Sequence, residues 1–443
     1  MRILMFEKII VEQNPHWNSE LYPQGFKRER FSKLIDFLPL PHVVAVAGAR
    51  RVGKSTMLKQ LINYLIVEQK ISVQNIFFMN LENPFLVQYA NDVQFLQMIF
   101  EDYIKMMNPE GLIYCFLDEI QFFKDWPVFI KALYEQKRVK FFITGSNSSL
   151  LSAELMTLLS GRTLSLEMLP FSFKELAQEK LYFQENVVEH SYNKEQLKSL
   201  MEEYLHYGGF PDVVLAPSKI TAFDVLGSYT KAVLYQDVAP RLQIKKPLDL
   251  ERLFVYLVST IGTPFSYHSL SKIFNLSDKT IKEYVEAFTD SFLLFPIDQF
   301  SFSVKQQIRS AKKCYAIDTG HINATAFKFS ENRGRLLENI VYLELRRRNF
   351  EVYTHKTDND LEVDFVAKKG NKLSLIQVAQ TLKGQTTRER ELNSLIAAMI
   401  ELKMENGIIV TQDDDEEVII IDNFSIQVLP AYTFLLNDMT ELT

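Results

Sequence analysis

Short runs of apolar residues punctuate the first third of the chain: Val43–Ala47, Leu112–Leu117 and the mostly apolar Val139–Ile143. Runs of this length without polar alternation predict strands buried on both faces, as in a parallel sheet covered by helices. Between them the period changes. Met57, Leu58, Leu61, Ile62 and Leu65 fall on one helical stripe, the pattern of a helix packed on one side. From about Lys27 to Phe171 strands and helices alternate, which predicts an α/β doubly wound domain.

After Pro170 the pattern turns helical, with Glu195–Tyr207 closed by the break Gly208-Gly209-Phe210-Pro211 and a further helix over Phe223–Val238 ending near Arg241. A helical lid over a ligand is expected there. Residues 249–298 read helix, turn, helix, turn, helix, strand. Ser266 is the expected cap of one helix, whose Leu270 and Ile273 face inward. Asn275 marks a turn and Asp278 is the expected cap of the next helix. Ile281, Tyr284, Val285 and Phe288 form that helix's buried stripe, and Phe292–Ile297 begins a wing. This is a helix-turn-helix pattern of the winged type. From Leu336 to about residue 435 the order is helix (to Arg348), three strands (Phe350–His355, 361–366, 373–379), helix (388–402) and further strands starting at Gly407. The expected domains are 1–172, 173–245, 246–310 and 311–443.

Composition narrows the class. At 443 residues the chain exceeds a single core, and no apolar stretch approaches bilayer length. Met1–Val11 has Glu7 in its apolar run and lacks a secretion-type cleavage site. With only Cys115 and Cys314, a disulfide framework is excluded and a reducing cytoplasm is expected. The seven histidines show no zinc-ligand spacing. A net charge of −6 argues against indiscriminate nucleic-acid binding while allowing a local basic face.

Chemistry concentrates directly after the first apolar run. Gly48-Ala49-Arg50-Arg51-Val52-Gly53-Lys54-Ser55-Thr56 fits the phosphate-binding pattern G-x-x-x-x-G-K-[ST] between a strand and a helix. The glycines allow the backbone N–H groups to ring a phosphate. Lys54 brings charge to the terminal phosphates, Ser55 offers a hydroxyl to Mg²⁺, and the helix dipole faces the anion. Asp118 and Glu119 close the second run, at the strand end where ligands bind in parallel sheets. Asp118 is placed to hold the Mg²⁺ shell and Glu119 to activate water. Ser146 or Asn147, after the third run, suits a γ-phosphate sensor, and a turn that caps the next helix explains them equally well. Arg162, after Ser160-Gly161, is a candidate transition-state charge from its own subunit or a neighbour, and an exposed structural arginine explains it equally well.

Taken with this loop, Leu117-Asp118-Glu119-Ile120-Gln121, Trp126, Thr144-Gly145-Ser146, Gly161-Arg162, Pro170-Phe171-Ser172-Phe173 and the leader Gln13-Asn14-Pro15-His16-Trp17 resemble prokaryotic AAA-type (STAND-like) P-loop ATPases with a C-terminal domain of unknown function. The resemblance implies ATP as ligand, hydrolysis coupled to a partner, and Arg28 (in Arg28-Glu29-Arg30) near the adenine end. It also places Arg241 close to the ATPase module and implies that an arginine can pass between subunits of a homo-oligomer.

The C-terminal order resembles restriction-endonuclease-like nucleases. These hold Mg²⁺ with acids and use a lysine near the second acid. Glu338 and Asp364 match two acids, but Gln377 stands where the second strand acid belongs and Ala379 where the lysine belongs. A nuclease-like fold without nuclease chemistry is expected, because a neutral amide is a poor Mg²⁺ ligand; an active ATP-dependent nuclease is the alternative that Gln377 and Ala379 disfavour. Partner classes remain open. DNA or RNA is suggested by the winged helix and by Arg346-Arg347-Arg348 and Arg309–Lys313. A protein partner is suggested by the near-neutral mix of Lys279, Lys282, Asp278, Glu283 and Glu286 on the recognition helix.

Overall fold

The computed structural model describes residues 2–151, 159, 161–181, 194–244, 247–327 and 333–437, without the side chains of residues 2–5. It divides into two compact units: Met1–Met168 with Asp290–Phe292, and Leu169–Thr289 with Leu293–Thr443.

In the first unit the three apolar runs become strands β1 (Val43–Ala47), β3 (Ile113–Asp118) and β4 (Val139–Gly145). They are joined by β2 (Ile76–Asn80) and β5 (Thr163–Glu167) in one sheet of order β2-β3-β4-β1-β5. Every neighbouring pair is parallel. The helices Lys54–Val67 and Val93–Met107 bury their apolar faces, so β1 can be apolar at every position and is buried throughout. Phe116 and Phe142 stack across β3 and β4 with ring centroids 5.0 Å apart. The register Asn80↔Asp118, Leu117↔Ile143 and Ala47↔Gly145 brings the carboxyl ends of β2, β3, β4 and β1 to one edge.

The leader has a structural task that its sequence did not announce. As the outer strand, β2 has backbone groups that no further strand pairs among the described residues, an exposure that proteins must cover. Asn14 Oδ1 accepts from the Phe78 amide at 2.7 Å, and Asn14 Nδ2 donates to the Phe78 carbonyl at 2.8 Å. Gln13 Oε1 accepts from the Asn80 amide at 2.6 Å, while the His16 and Trp17 ring N–H groups reach the Ile76 carbonyl at 3.1 and 2.9 Å. Side chains thus stand where a neighbouring strand's backbone would.

In the second unit, helices span Phe173–Leu181, Lys194–Tyr207 and Ala222–Ala232, the last running through a π-helical stretch, Val233–Val238, into Ala239–Arg241. The Arg241 guanidinium donates to the Ala287 carbonyl at 3.2 Å. Helices Pro247–Ser259, Tyr267–Phe274 and Asp278–Asp290 follow, then the antiparallel hairpin β6 (Leu294–Ile297) and β7 (Lys313–Ala316). Ser266 caps its helix as expected, in a capping box with Ser269. Two local expectations need correction. Ile273 is 56% exposed, since the inward stripe of so short a helix is carried by Leu270. The cap before Ile281 is Ser277, whose hydroxyl accepts from the Thr280 amide at 3.0 Å, so Asp278 lies inside the first turn.

The chain ends in a mixed sheet of order β12-β13-β11-β10-β9-β8. Its strands are β8 (Glu351–Lys356), β9 (Glu362–Lys369), β10 (Lys372–Ala379), β11 (Asn406–Thr411), β12 (Glu417–Ile421) and β13 (Phe424–Pro430). Helix Gln385–Leu402 packs Leu392, Leu395, Ala398 and Met399 against Val363, Val366, Leu375 and Ile409. Helix Arg333–Arg347 contacts β8, β9 and β10.

Candidate nucleotide site

The loop between β1 and helix Lys54–Val67 is fixed by close approaches. A Cβ on Gly48 would meet the Met168 carbonyl oxygen at 2.1 Å, so no other residue fits without moving the backbone. Gly53 has φ +97°, a conformation natural to glycine. The buried Arg28 guanidinium donates to the Val52 carbonyl at 2.8 Å. In this structure Arg28 therefore braces the loop backbone, whatever else it contacts. Arg50 pairs with Glu82 at 2.6 Å and faces the Phe122 ring. Ser55 and Thr56 lie in the first turn of the helix, at its positive dipole end.

Lys54 is buried. Its Nζ donates to the Gly48 and Ala49 carbonyls, each at 3.0 Å, and pairs with Glu119 Oε1 at 3.2 Å. The loop thus holds its own cation against the acid of the neighbouring strand. Asp118 is buried at the tip of β3 and accepts from the Thr144 hydroxyl. Burial, then repulsion from Glu119, raises its carboxyl above the usual range. For Glu119 burial pushes the same way, but Lys54 and the Gln121 amide outweigh it and hold the carboxylate low and ionised. Adjacent acids in one pocket are thereby driven apart, an arrangement typical of reaction centres.

Glu119 sits at φ +55°, rare for a residue with a side chain. Its amide donates to Thr144 Oγ1 at 2.9 Å, and its Oε2 accepts from Gln121 Nε2 at 2.6 Å and from the Ser146 amide at 3.1 Å. Gln121 Nε2 also reaches Ser146 Oγ at 3.1 Å. Ser146 therefore belongs to the cluster, whereas Asn147 turns its Oδ1 to the Ser149 amide at 2.8 Å, a local turn. Arg162 does not join them. Its carbonyl accepts from the Val43 amide at the amino end of β1, and its guanidinium pairs with Glu135 and faces Tyr134. The length of β1, about 16 Å at ~3.3 Å per residue, separates it from the loop of its own chain. Ser160 lies outside the described residues. Sequence reading missed Thr144 and Gln121 as members of the site, although both stand in motifs at the strand tips.

Residues 41–177 match the family described as AAA domain. Residues 198–332 and 333–434 match two families described as domains of unknown function, DUF8612 and DUF4143. An uncharacterized protein of Methanocaldococcus jannaschii is 32% identical over 450 residues, covering 98% of this chain and 95% of that protein. One from Haemophilus influenzae is 33% identical over 358 residues, covering 80% and 86%. The chain belongs to the family of these AAA-domain proteins. Among solved structures, ORC1 of Aeropyrum pernix in complex with DNA is 12% identical over 68% of this chain and 93% of that one, with a TM-score of 0.33. AMPPCP-bound DnaA from Aquifex aeolicus is 13% identical over 62% and 92%, with a TM-score of 0.30.

Elsewhere in this AAA-domain protein, Glu338 and Asp364 come together at Lys313. Glu338 Oε1 accepts from Tyr315 Oη at 2.6 Å and from Lys313 Nζ at 3.1 Å. Asp364 Oδ2 accepts from the Val378 amide at 2.8 Å, and Lys313 lies 3.5 Å from its Oδ1. Gln377 is occupied on both sides, accepting from the Asp364 amide at 3.2 Å and donating to buried Glu391 at 2.6 Å. Among the described residues no group of three or more His, Cys, Asp or Glu is arranged to hold a metal.

Much of the charge of the basic runs is engaged internally, although Arg309 is exposed. Arg347 and Arg348 both grip Glu344 at 2.7 Å and donate to the Pro170 and Phe434 carbonyls. Arg346 lies over the Phe295 ring at 4.3 Å. Lys312 pairs with Asp298. On helix Asp278–Asp290, Lys279 faces Glu283 and Lys282 faces Glu286 one turn on. No described helix is long and apolar enough to cross a membrane.

Proposed function

We propose that this protein binds ATP with Mg²⁺ at the β1 loop and hydrolyses it, using the cycle to change its engagement with a macromolecular partner. The observation that carries this reading is the buried Lys54–Glu119–Thr144–Asp118 cluster at one sheet edge. The donor set suits the ligand: a glycine cradle with no room for a Cβ at Gly48, a lysine, a hydroxyl and an adjacent acid pair. Mg²⁺, when bound, neutralises charge building on the β/γ oxygens. Ser55 and Asp118 would hold it. Lys54 would exchange the Gly48 and Ala49 carbonyls for phosphate oxygens. Glu119, kept ionised, would take the proton of the attacking water, while Gln121, Thr144 and Ser146 fix its direction. Arg162 remains a candidate only for a neighbouring subunit's site.

In the same reading the chain has an ATPase core (1–172), a helical lid (173–245), a winged helix (246–310) and a nuclease-like domain without nuclease chemistry (311–443). The STAND-like resemblance and a reducing cytoplasmic setting, suited to two buried free thiols, belong to it as well. The winged-helix order and nuclease-like domain support nucleic acid as the partner. A second reading, a switch that binds a protein, is favoured by one specific observation: Arg346–Arg348, Lys312, Lys279 and Lys282 are paired with acids, carbonyls or rings.

Phosphate release measured with Mg²⁺, with and without duplex DNA, single-stranded DNA and RNA, tests the proposal. Turnover that requires Mg²⁺ and disappears in Lys54→Ala is expected; turnover that survives Lys54→Ala would remove the loop from its role. Stimulation by a nucleic acid supports the first partner class. Flat rates, with an ATP-dependent protein complex recovered from extract, support the second.

A further inference from the structure

Nucleases of the type resembled by residues 311–443 place a divalent cation between their acids, and the residues here do not fit one. Mg²⁺ asks for near-octahedral oxygen ligands at about 2.1 Å. Between Glu338 and Asp364 lies instead the buried ammonium of Lys313, supplied by β7 of the hairpin and not by β10, where a nuclease lysine would sit.

We propose that Lys313 is a built-in cation occupying the position of the metal, converting the acid set into a clamp that fastens the β6–β7 hairpin to the C-terminal sheet. The proposal rests on the nuclease-like reading of Glu338 and Asp364. An ammonium has three N–H donors, and three carboxylates face it: Glu362 at 2.5 Å, Glu338 at 3.1 Å and Asp364 at 3.5 Å. The remaining contacts commit the acids further. Tyr315, also on β7, donates to Glu338, and the Val378 amide donates to Asp364. Beside Glu338 on the same helix, the buried Asn339 completes the fastening. Its Oδ1 accepts from the Ala316 amide at 2.7 Å and its Nδ2 donates to the Ala316 carbonyl at 3.0 Å. Hairpin and helix are thus joined by one ion cluster and one strand-like amide pair. Removing one partner of such a cluster leaves buried charge uncompensated, so the acids serve attachment.

The test is a Mn²⁺ titration of the nucleotide-free full chain, read by electron paramagnetic resonance, alongside Asp364→Asn. The two proteins should titrate alike, because Asp364 holds no metal. A site present in the Lys313-bearing protein and lost in Asp364→Asn overturns the clamp while leaving the nuclease-like reading intact. Lys313→Ala should melt lower by several degrees and regain on the order of 3 °C with millimolar Mn²⁺. Unchanged melting with no new Mn²⁺ site would also overturn the proposal. If Lys313→Ala does not fold, the Asp364→Asn comparison still decides.

Discussion

At the scale of single residues the nucleotide site depends on groups that hold other groups. Thr144 hydroxyl is shared between the Asp118 carboxylate and the Glu119 amide, which keeps Glu119 at its unusual φ. Thr144→Val keeps the shape and removes the hydroxyl. We expect a loss of about 1–3 kcal/mol from the unsatisfied amide, read by denaturant unfolding. Turnover should fall roughly 10–100-fold, with a smaller change in ATP affinity. His16 gives a pH test. Burial lowers its pKa from 6.5 to about 4, against a small opposing effect of the Ile76 carbonyl. The folded state prefers the neutral ring, so its contribution is full above pH 6.5 and is lost as pH falls toward 4, about 3 kcal/mol in all. Wild type minus His16→Gln stability should show that decline; a pH-independent difference would contradict it. Lys54, Asp118 and Glu119 were legible because their spacing and strand-end positions carry the information. Thr144 as an anchor and Lys313 as a cation were not, since their partners come from distant strands.

At the scale of elements the apolar runs declared β1, β3 and β4 almost residue for residue, because a strand buried on both faces is dominated by apolar residues. Short amphipathic helices were less legible. Ile273 was misplaced because the inward stripe of a helix of eight residues is carried by Leu270, and Asp278 by one residue because neighbouring Ser277 competes as a cap. The leader motif was visible as a motif, yet its task appears only once β2 is seen to be the outer strand. Asn14→Ala should therefore destabilise the first unit by about 2–3 kcal/mol, leaving the Phe78 amide and carbonyl unpaired. Faster hydrogen exchange confined to β2 would check it, and unchanged exchange there would contradict it.

At the scale of the whole molecule, alternation of strand and helix followed by a helical stretch and a second sheet was readable from period alone, and the fold class follows from it. Charge was not readable in this way. Arg346–Arg348 is a basic run in the sequence and an internal ion and carbonyl network in the fold. Arg162 raises a question that only the assembled protein answers. Its distance from its own loop predicts that Arg162→Ala turns over ATP within about twofold of wild type when dilute and monomeric. A loss appearing only at concentrations where subunits associate would assign it to a neighbour's site. The central claim is tested most directly by Glu119→Gln, incubated with Mg²⁺ and γ-phosphate-labelled ATP and followed for bound label and free phosphate together. Retention of ATP comparable to wild type, with phosphate release reduced at least about 100-fold, is the expected result. Normal phosphate release by Glu119→Gln, or no ATP retained by either protein, would contradict the account.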